Sequence, residues 1–390
     1  MKKNITKAAL ASFLTITSAP LFAIPINDNL SLHGAIRARF DYDPDRDIDK
    51  LGIDTVRLAL QYNSSSWIGG VRWRYYGKAY PYNYTKKFGD ISFPEYAWVG
   101  YKFDDNRQLQ AGLNQVPFGL QPLFGNTFTE TLGYPLGFED LYEVGVKYAE
   151  QRGDWNFQGG YYARPAWQGK GTSKGGVTYS NVPSNADSYV TDGSNNQERN
   201  TFALRVSKGM DIDGWASEVG VSGLTSTLEN ADTNANGRRY IAAGHIYSKK
   251  GPWTVQVLAA RQVMSPRNPG NDDVVTFGGY DSTYNIAARG TLYTGDLSYD
   301  ISGTYLKYIN NLKLYGSYGE FQKSGREYKD TQRFITGISF YVGSSVWIAT
   351  EWLFGKNDPY VGGSSYTQSL AVGGTNHWEN QLYMNIGYYF

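Results

Sequence analysis

The sequence has no cysteine among its 390 residues and only three histidines. Without cysteine the chain has no disulfide framework to hold its loops and no thiolate site for a metal. Long apolar runs are also missing, since no stretch after residue 23 approaches the length that a transmembrane helix needs. Basic and acidic residues number 37 and 36, so the net charge gives no indication of a nucleic-acid partner.

Tyrosine, tryptophan and glycine are abundant instead, at 33, 10 and 45 residues. The mean hydropathy is only −0.47 although 41% of the residues are hydrophobic. This combination is unusual for a soluble domain. A membrane β-barrel accounts for it, because half of each strand faces water while aromatic side chains form girdles at the two membrane interfaces.

The first 23 residues have the pattern of a secretory signal peptide. Three lysines form its basic region and residues 8–16 its apolar region, and cleavage after Ala23 would make Ile24 the first mature residue. Removing three lysines and no acidic residue leaves 34 basic against 36 acidic residues, a mature net charge of −2. We therefore expect export across the inner membrane of a bacterium.

The chain ends in a segment with a period of two, which indicates a strand with two different faces. Its apolar positions are Leu382, Met384, Ile386 and Tyr388, and the last residue is Phe390. This ending resembles the last strand of a bacterial outer-membrane β-barrel. The resemblance implies that the barrel-assembly machinery reads the terminal Phe390. The alternative is an edge strand of a soluble sandwich.

Short polar turns alternate with long polar stretches along the chain. Five short turns each precede a tryptophan that opens an alternating segment: Trp67, Trp155, Trp215, Trp253 and Trp347. The long stretches are 77–91, 117–140, 165–198, 229–238, 264–280 and 356–378. The asymmetry predicts an all-β, antiparallel transmembrane barrel with short periplasmic turns and long extracellular loops that face lipopolysaccharide.

The alternating segments number seventeen, whereas a closed barrel with both ends periplasmic needs an even number. Residues 284–307 would form one long strand in a barrel of 16 strands. Alternatively, residues 274–279 hide a further strand and the barrel has 18. We favour 16.

Two short segments resemble the phosphate-selective porin O and P family of Gram-negative outer membranes. One is Ala-Gly-Leu-Asn-Gln-Val-Pro-Phe-Gly-Leu at 111–120, and the other ends Leu-Tyr-Thr-Gly-Asp at 296. The resemblance implies a homotrimer of 16-stranded barrels whose third loop, at about 117–140, folds inward and narrows the pore. It also implies basic ladders that select phosphate. Here the interior basic residues are mainly arginines.

Arginines on the polar faces of the first three strands predict one side of a pore constriction. Arg37, Arg57 and Arg72 lie near mid-membrane, and Arg39 and Arg74 lie one step higher. A cation facing lipid at that depth would cost about 2–4 kcal/mol, so these side chains must face water or a partner.

The third loop supplies the predicted opposite side of the constriction, with Glu130, Glu139 and Asp140. Opposed charges across a constriction orient polar solutes and concentrate anions. The sequence predicts a water-filled channel for passive diffusion of small hydrophilic solutes, with a weak anion preference. Alternatively, the arginines pair with carboxylates across the wall and only stiffen the lumen.

Aromatic and acidic residues leave two further interpretations open. Tyr76, Tyr96, Trp98 and Tyr162 share the polar face and would serve as rungs for sugar rings in a sugar-selective porin, or pack beneath loops. The acidic segments 43–49 and 229–234 are candidates for binding Ca²⁺, although solvated loops are the commoner explanation.

Other functional classes are less well supported by the sequence. A barrel hydrolase needs histidine beside serine or an acidic residue, and no such catalytic pattern surrounds His33, His245 or His377. We expect no enzyme activity, no catalytic residue, no metal and no cofactor. An adhesin or phage-receptor barrel would use its long loops, of which residues 165–198 are an example, and would have a blocked lumen.

Overall fold

The computed structural model describes residues 23–77, 87–171, 178–301, 308–362 and 365–390. All but the last residue of the predicted signal peptide lies outside these ranges. No helix within them is long and apolar enough to cross a membrane.

The described residues form twenty strands. The first ten are β1 Ile24–Asn27, β2 Leu30–Asp43, β3 Ile48–Asn63, β4 Trp67–Tyr76, β5 Ile91–Asp104, β6 Arg107–Gln115, β7 Tyr142–Arg152, β8 Trp155–Pro165, β9 Val182–Pro183 and β10 Asn196–Ile212. The others are β11 Trp215–Asn230, β12 Asn236–Lys250, β13 Trp253–Ser265, β14 Val274–Gly278, β15 Thr283–Ala287, β16 Arg289–Ile301, β17 Ile309–Lys323, β18 Thr331–Val342, β19 Val346–Lys356 and β20 Trp378–Tyr389.

Sixteen of these strands form a closed antiparallel barrel, each pairing with the next barrel strand along the chain. The barrel closes where β20 pairs with β2, from Ala35 opposite Tyr389 to Tyr42 opposite Leu382. Two backbone hydrogen bonds between Gly34 and Phe390, of 2.6 and 3.1 Å, extend this seam to the chain terminus. A side chain at Gly34 would collide with the ring of Phe390. Closure leaves no unpaired sheet edge, which is what lets a sheet exist in lipid.

The predicted count of 16 strands is confirmed, but residues 284–301 do not form one strand, and residues 302–307 of the predicted strand lie outside the described ranges. Thr283–Ala287 (β15) pairs with Val274–Gly278 (β14) and leaves the wall, while Arg289–Ile301 (β16) crosses it. Residues 274–279, the alternative location for a further strand, therefore do contain a strand, but this strand lies outside the barrel wall. Together with β9, β14 and β15 form a small three-stranded sheet in the loops.

The wall has two chemically different faces. Along β12, exposed and buried residues alternate without interruption from Asn236 to Ile246. Outward-facing side chains are apolar and exposed, as Leu204 at 67% and Val221 at 63% illustrate. An exposed apolar surface that surrounds a closed barrel is the surface of a membrane-spanning protein.

Tryptophans mark one rim of this apolar surface. Trp67, Trp155 and Trp253 are exposed beside the short turns, where an indole has an apolar ring in lipid and an N–H near water. Trp347 differs, because its ring packs 5.4 Å from the ring of Phe128 inside the barrel. The tryptophan repeat thus marks the strand starts, but not always the outer face.

Two long loops fill one side of the barrel interior. They are L3, residues 116–141 between β6 and β7, and L6, residues 266–288 between β13 and β16. Apolar side chains of both loops join inward-facing residues of the wall, such as Leu224, Ile241 and Leu258, in one buried cluster. Burial of this apolar surface stabilises the loops inside the barrel. The remaining lumen lies against the opposite wall.

Candidate pore constriction

L3 crosses the barrel interior from its origin on β6 to the far wall. Near its start, the Gly119 N–H donates to Ser222 Oγ at 2.9 Å, and Arg205 Nε donates to the Gly119 carbonyl at 2.7 Å. Farther along, the Asn126 N–H donates to Asp296 Oδ2 on β16 at 3.0 Å. Lys313 on β17 donates to the Asn126 side chain at 2.9 Å. Each contact is a polar anchor on a strand distant from β6.

The tip of L3 is anchored to β19. The N–H groups of Phe128 and Thr129 donate to the two oxygens of Glu351 at 2.5 and 2.9 Å, and Tyr315 adds a hydroxyl at 2.8 Å. The Phe128 ring stacks on Tyr383 of β20, with ring centres 5.5 Å apart. The tip therefore lies against the wall that also carries the predicted arginines.

Arg37 points into the lumen from β2 and meets a carboxylate on β3. Its Nη2 lies 3.2 Å from Asp54 Oδ2 and donates to Thr55 Oγ1 at 2.7 Å. Asp54 is the extra residue of a β-bulge, since Arg37 is opposite Thr55 and Ala38 is opposite Ile53. The bulge turns Asp54 inward although Ile53 beside it faces outward and is 52% exposed.

Arg72 and Arg74 share a second carboxylate, which is also presented by a β-bulge. Arg72 Nη1 lies 2.9 Å from Glu95 Oε1, and Arg74 Nε donates to the other oxygen. The bulge arises because Arg72 is opposite Tyr96 and Trp73 is opposite Pro94, which leaves Glu95 without a partner in the ladder. One buried carboxylate therefore offsets part of two positive charges.

The remaining two predicted arginines differ in their partners. Arg39 forms a two-point pair with Asp41, at 2.7 and 2.8 Å. Arg57 forms no ion pair within the described residues, and its guanidinium lies 5.2 Å from the ring centre of Tyr389. Ring contacts of this kind stabilise a cation without neutralising it.

Glu130 and Asp140 of L3 lie on either side of one tyrosine hydroxyl. The Tyr179 oxygen lies 3.0 Å from Glu130 Oε1 and 2.5 Å from Asp140 Oδ2. The guanidinium of Arg74 lies 4.3 Å from the Tyr179 ring centre, so this ring separates the arginine wall from the loop acids. A hydroxyl has one proton, so it satisfies two carboxylates fully only if one of them is protonated.

Burial, with a smaller effect of the neighbouring Asp140, raises the pKa of Glu130 to about 8. Burial likewise raises the pKa of Asp140 to about 6. Glu130 is therefore the group expected to hold the proton at neutral pH.

Glu139 lies in the interior of L3 and not on its lumen side. It is 2% exposed and accepts hydrogen bonds from the Phe124 and Thr131 N–H groups at 2.7 and 2.9 Å. The Thr131 hydroxyl adds a third bond at 2.5 Å. Glu139 thus holds the fold of the loop together.

A cavity of about 450 Å³ lies between L3 and the arginine wall. Of the predicted residues, Arg37, Arg39, Arg74 and Glu130 line it, while Arg57, Arg72, Glu139 and Asp140 do not. Further charged residues that line it are Arg46, Asp54, Asp281 and Arg333. Among the described residues the lining has five arginines against three acidic residues, and each of the five arginines forms an ion pair, with Asp54, Asp41, Asp43, Glu95 or Asp358.

Protonation of Glu130 gives a testable pH dependence. Its pKa of about 8 means that the proton is largely bound at pH 7 and largely lost by pH 9, whereas Asp140, with a pKa of about 6, is already largely ionised at pH 7. Raising the pH therefore adds a negative charge beside Arg74, and the anion-to-cation permeability ratio should fall about fivefold, because one charge about 8 Å away in water changes the energies of anion and cation by about 0.5 kcal/mol each in opposite directions. The reversal potential under a salt gradient, measured at pH 7 and pH 9, checks this. Glu130→Gln should remove the change, and a ratio that still falls in that variant would assign the titration to another group.

The aromatic and acidic residues that the sequence suggested for sugar or Ca²⁺ binding do not come together in one site. Tyr76 is stacked against Phe93 and Tyr280 beside the cavity, while Tyr162 is fully buried and its hydroxyl contacts Asn114 and the Gln115 carbonyl. In the proposed Ca²⁺ segments, Asp43 pairs with Arg46. No group of three or more potential ligands is found in the described part of the chain.

The histidines lack the arrangement of a hydrolase within the described ranges. His33 Nε2 lies 2.7 Å from Ser31 Oγ, but its Nδ1 has no hydrogen-bond partner there, so an orienting acid is missing. His245 is buried with Glu218 and Arg205, which form an ion pair of their own.

No protein-family model matches the sequence, and no curated protein matches it. Solved structures do resemble the chain. The outer-membrane channel DcaP of Acinetobacter baumannii is 12% identical, with 93% of this chain and 97% of that chain covered and a TM-score of 0.59. An anion-selective porin from Comamonas acidovorans is 11% identical, with 93% and 99% covered and a TM-score of 0.57.

OmpT, an outer-membrane protein of Vibrio cholerae solved in a trimer form, is 13% identical, with 93% and 99% covered and a TM-score of 0.53. At these identities the likeness is one of fold. The chain has the 16-stranded barrel architecture of these outer-membrane proteins over nearly its whole length.

Proposed function

We propose that the protein is a porin of a bacterial outer membrane, through which small hydrophilic solutes diffuse passively with a weak anion preference. The observation that carries the proposal is the cavity between L3 and the arginine wall. A loop fixed across the lumen narrows the pore without blocking it. The five arginines against three acidic residues in the cavity lining favour anions there.

The similar structures include an anion-selective porin, which agrees in kind with this preference. Phosphate selectivity, which the two sequence segments imply, stays a prediction. The arginines of this wall are largely paired with Asp54, Asp41 and Glu95, so the excess of positive charge is small.

We further infer that the channel is a homotrimer, because the sequence resembles a trimeric family and the similar OmpT was solved in a trimer form. The cleaved signal peptide and recognition of Phe390 by the barrel-assembly machinery belong to the same proposal.

Single-channel conductance in a planar lipid bilayer tests the function. The full mature chain, refolded in detergent, should give steady channels whose reversal potential in a KCl gradient indicates anion preference. Added phosphate that blocks the current would support the finer prediction of phosphate selectivity. Folded protein without conductance would contradict the porin proposal and favour a receptor or adhesin barrel.

A further inference from the structure

We propose that three arginines on the outer surface of the barrel bind the phosphate groups of an outer-leaflet glycolipid, the chemistry that the headgroup of lipopolysaccharide presents. The three are Arg238 on β12, Arg261 on β13 and Arg289 on β16, which are neighbouring strands of the wall. The site rests on the outer-membrane location that belongs to the proposed function, but it does not require an open pore.

All three arginine side chains face away from the lumen. Arg238 is exposed, whereas the next residue, Arg239, is fully buried inside the barrel in an ion pair with Glu198. Arg261 and Arg289 are likewise exposed between buried neighbours along the chain. Because side chains alternate across a strand, this pattern places the three arginines on the lipid-facing side of the wall.

None of the three forms an ion pair with a carboxylate among the described residues. Arg238 donates to the Thr227 hydroxyl at 3.3 Å, and Arg261 donates to the Thr291 hydroxyl at 3.2 Å. A guanidinium has five N–H donors, so each of these contacts leaves most of the group available. Exposed guanidinium groups bind phosphate well, because two parallel N–H donors match two phosphate oxygens.

Acidic side chains on the outward face of the adjoining strands β11 and β17 have other partners. Glu229 on β11 is paired with Arg199 at 3.2 Å. Glu320 on β17 accepts from the Tyr318 hydroxyl at 3.3 Å and from the Gln322 amide at 3.4 Å. The outer surface of β12, β13 and β16 therefore carries positive charge that complements an anionic headgroup.

The arginines lie at the long-loop edge of the apolar band. Trp253 marks the opposite rim at the start of β13, and Arg261 follows eight residues later on the same strand. Eight residues span about 27 Å along a strand, or about 21 Å along the membrane normal at a tilt of about 40°. Arg289 and Arg238 are opposite residues two and four positions farther along β13, so both lie higher. Since the apolar band of such barrels is about 25 Å tall, the guanidinium groups are level with the lipid headgroups.

The spacing of the arginines fits a headgroup with two phosphates. Arg261 and Arg289 are diagonal neighbours on adjacent strands, which separates their Cβ atoms by about 7–8 Å. Two long side chains at this separation can bind one phosphate together. Arg238 is about 13 Å farther along the strands than Arg261, so it is placed for a second phosphate.

Small residues form the outer surface below the arginines. Those at outward-facing positions are Gly223 on β11, Ala242 and Gly244 on β12, Ala259 on β13 and Gly295 on β16. A Cβ added to Gly295 would have no described atom within 4 Å, and one added to Gly223 would approach only a backbone oxygen at 3.7 Å. The wall is therefore flat here, and straight acyl chains can lie against it below a headgroup held by the arginines.

Lipid binding to the full mature chain, refolded in detergent, tests the site by native mass spectrometry. The probes are diphosphoryl lipid A, the same lipid with its phosphates removed, and inorganic phosphate. Diphosphoryl lipid A should bind at least about tenfold more tightly than the dephosphorylated lipid, because only its phosphates can accept charge-assisted hydrogen bonds. Equal binding of the two lipids would overturn the proposal. Displacement of the lipid by inorganic phosphate would reduce the site to a general anion site and overturn the lipid assignment.

Replacing all three arginines with glutamine assigns the binding to this surface. The variant Arg238→Gln with Arg261→Gln and Arg289→Gln should bind diphosphoryl lipid A at least about tenfold more weakly, as expected for three exposed charge contacts acting together. Binding of the dephosphorylated lipid should not change. If this variant fails to fold, Arg261→Gln with Arg289→Gln should still weaken diphosphoryl lipid A binding by about fivefold. Unchanged binding in the variant that folds would overturn the proposal.

A matched variant removes three positive charges from the opposite rim of the barrel. Arg107→Gln with Arg152→Gln and Lys250→Gln changes exposed residues at the short turns and should leave both lipid affinities unchanged. An equal loss of affinity in this control would assign the effect to net charge and contradict a local site. Size-exclusion chromatography with light scattering should show the wild-type oligomeric state for the variant of the proposed site. Loss of the oligomer there would identify this face as an interface between copies of the chain and overturn the proposal.

Conductance measurements keep this site separate from the porin proposal, because the three arginines face outward. Phosphate-dependent lipid binding by a folded barrel that does not conduct would contradict the porin proposal and support the lipid site. Conductance together with equal binding of the two lipids would support the porin proposal and overturn the lipid site.

Discussion

Replacing Glu351 with alanine is expected to raise the single-channel conductance about twofold or more, because the constriction sets the resistance of a water-filled pore. Glu351 is fully buried and accepts hydrogen bonds from the N–H groups of Phe128 and Thr129 and from the Tyr315 hydroxyl. Removing its carboxylate leaves three donors unpaired, which costs about 1–3 kcal/mol for each donor that stays buried. The tip of L3 should then leave the wall, and conductance recorded in planar bilayers should show a larger and noisier open state.

Glu351→Gln is the matched control for this expectation. The amide keeps the size of the side chain and one oxygen acceptor, so the loop should stay largely in place and conductance should change little. Heat-modifiability on a denaturing gel shows whether each variant forms a closed barrel. An alanine variant that folds and conducts like the wild-type protein would contradict the view that L3 is held by its tip.

The architecture of the wall could be predicted because it depends on a period of two. Each barrel strand faces lipid on one side and the interior on the other, so its sequence alternates whatever its partners are. Segments such as 67–76 and 107–115 therefore agree with the observed strands. The period does not say which sheet a strand joins, and for that reason the prediction of one wall strand over residues 284–307 is wrong where Thr283–Ala287 joins the small sheet in the loops.

The ion-pair partners of the arginines could not be read from the same pattern. Asp54 and Glu95 face the lumen only because each is the extra residue of a β-bulge, which shifts the faces of the strand by one position. A signal was nevertheless present for Glu95. Proline within a strand is confined to edges and bulges, and Pro94 immediately precedes Glu95.

The path of L3 required tertiary information. The apolar residues Phe118, Leu120 and Phe124 indicate that part of the loop is buried, and they do pack against the wall. Nothing in the local sequence indicates that Glu139 folds back on Thr131, or that the loop tip reaches Glu351, which is more than two hundred residues away along the chain. Such partners are fixed by the closed barrel as a whole.

The double substitution Arg37→Ala with Arg72→Ala should replace the proposed weak anion preference of the channel with a preference for cations. Each arginine faces a carboxylate that remains, Asp54 in one case and Glu95 in the other. Arg37 lines the cavity and Arg72 lies in the wall outside its lining, so this side of the barrel loses two positive charges and keeps all its negative ones. With charges a few ångströms from the path of the ions, the permeability ratio should change by about tenfold. Reversal potentials in a KCl gradient measure this ratio directly.

A second double substitution separates a local effect from a change in net charge. Arg107→Ala with Arg152→Ala removes the same two positive charges from exposed ion pairs with Asp104 and Glu150 at the short turns, and it should leave the ratio nearly unchanged. Arg57→Ala, which removes a cation without an ion pair among the described residues, should have an intermediate effect. If Arg37→Ala with Arg72→Ala folds and keeps the wild-type ratio, these arginines only stiffen the wall, and any anion preference must arise elsewhere in the pore.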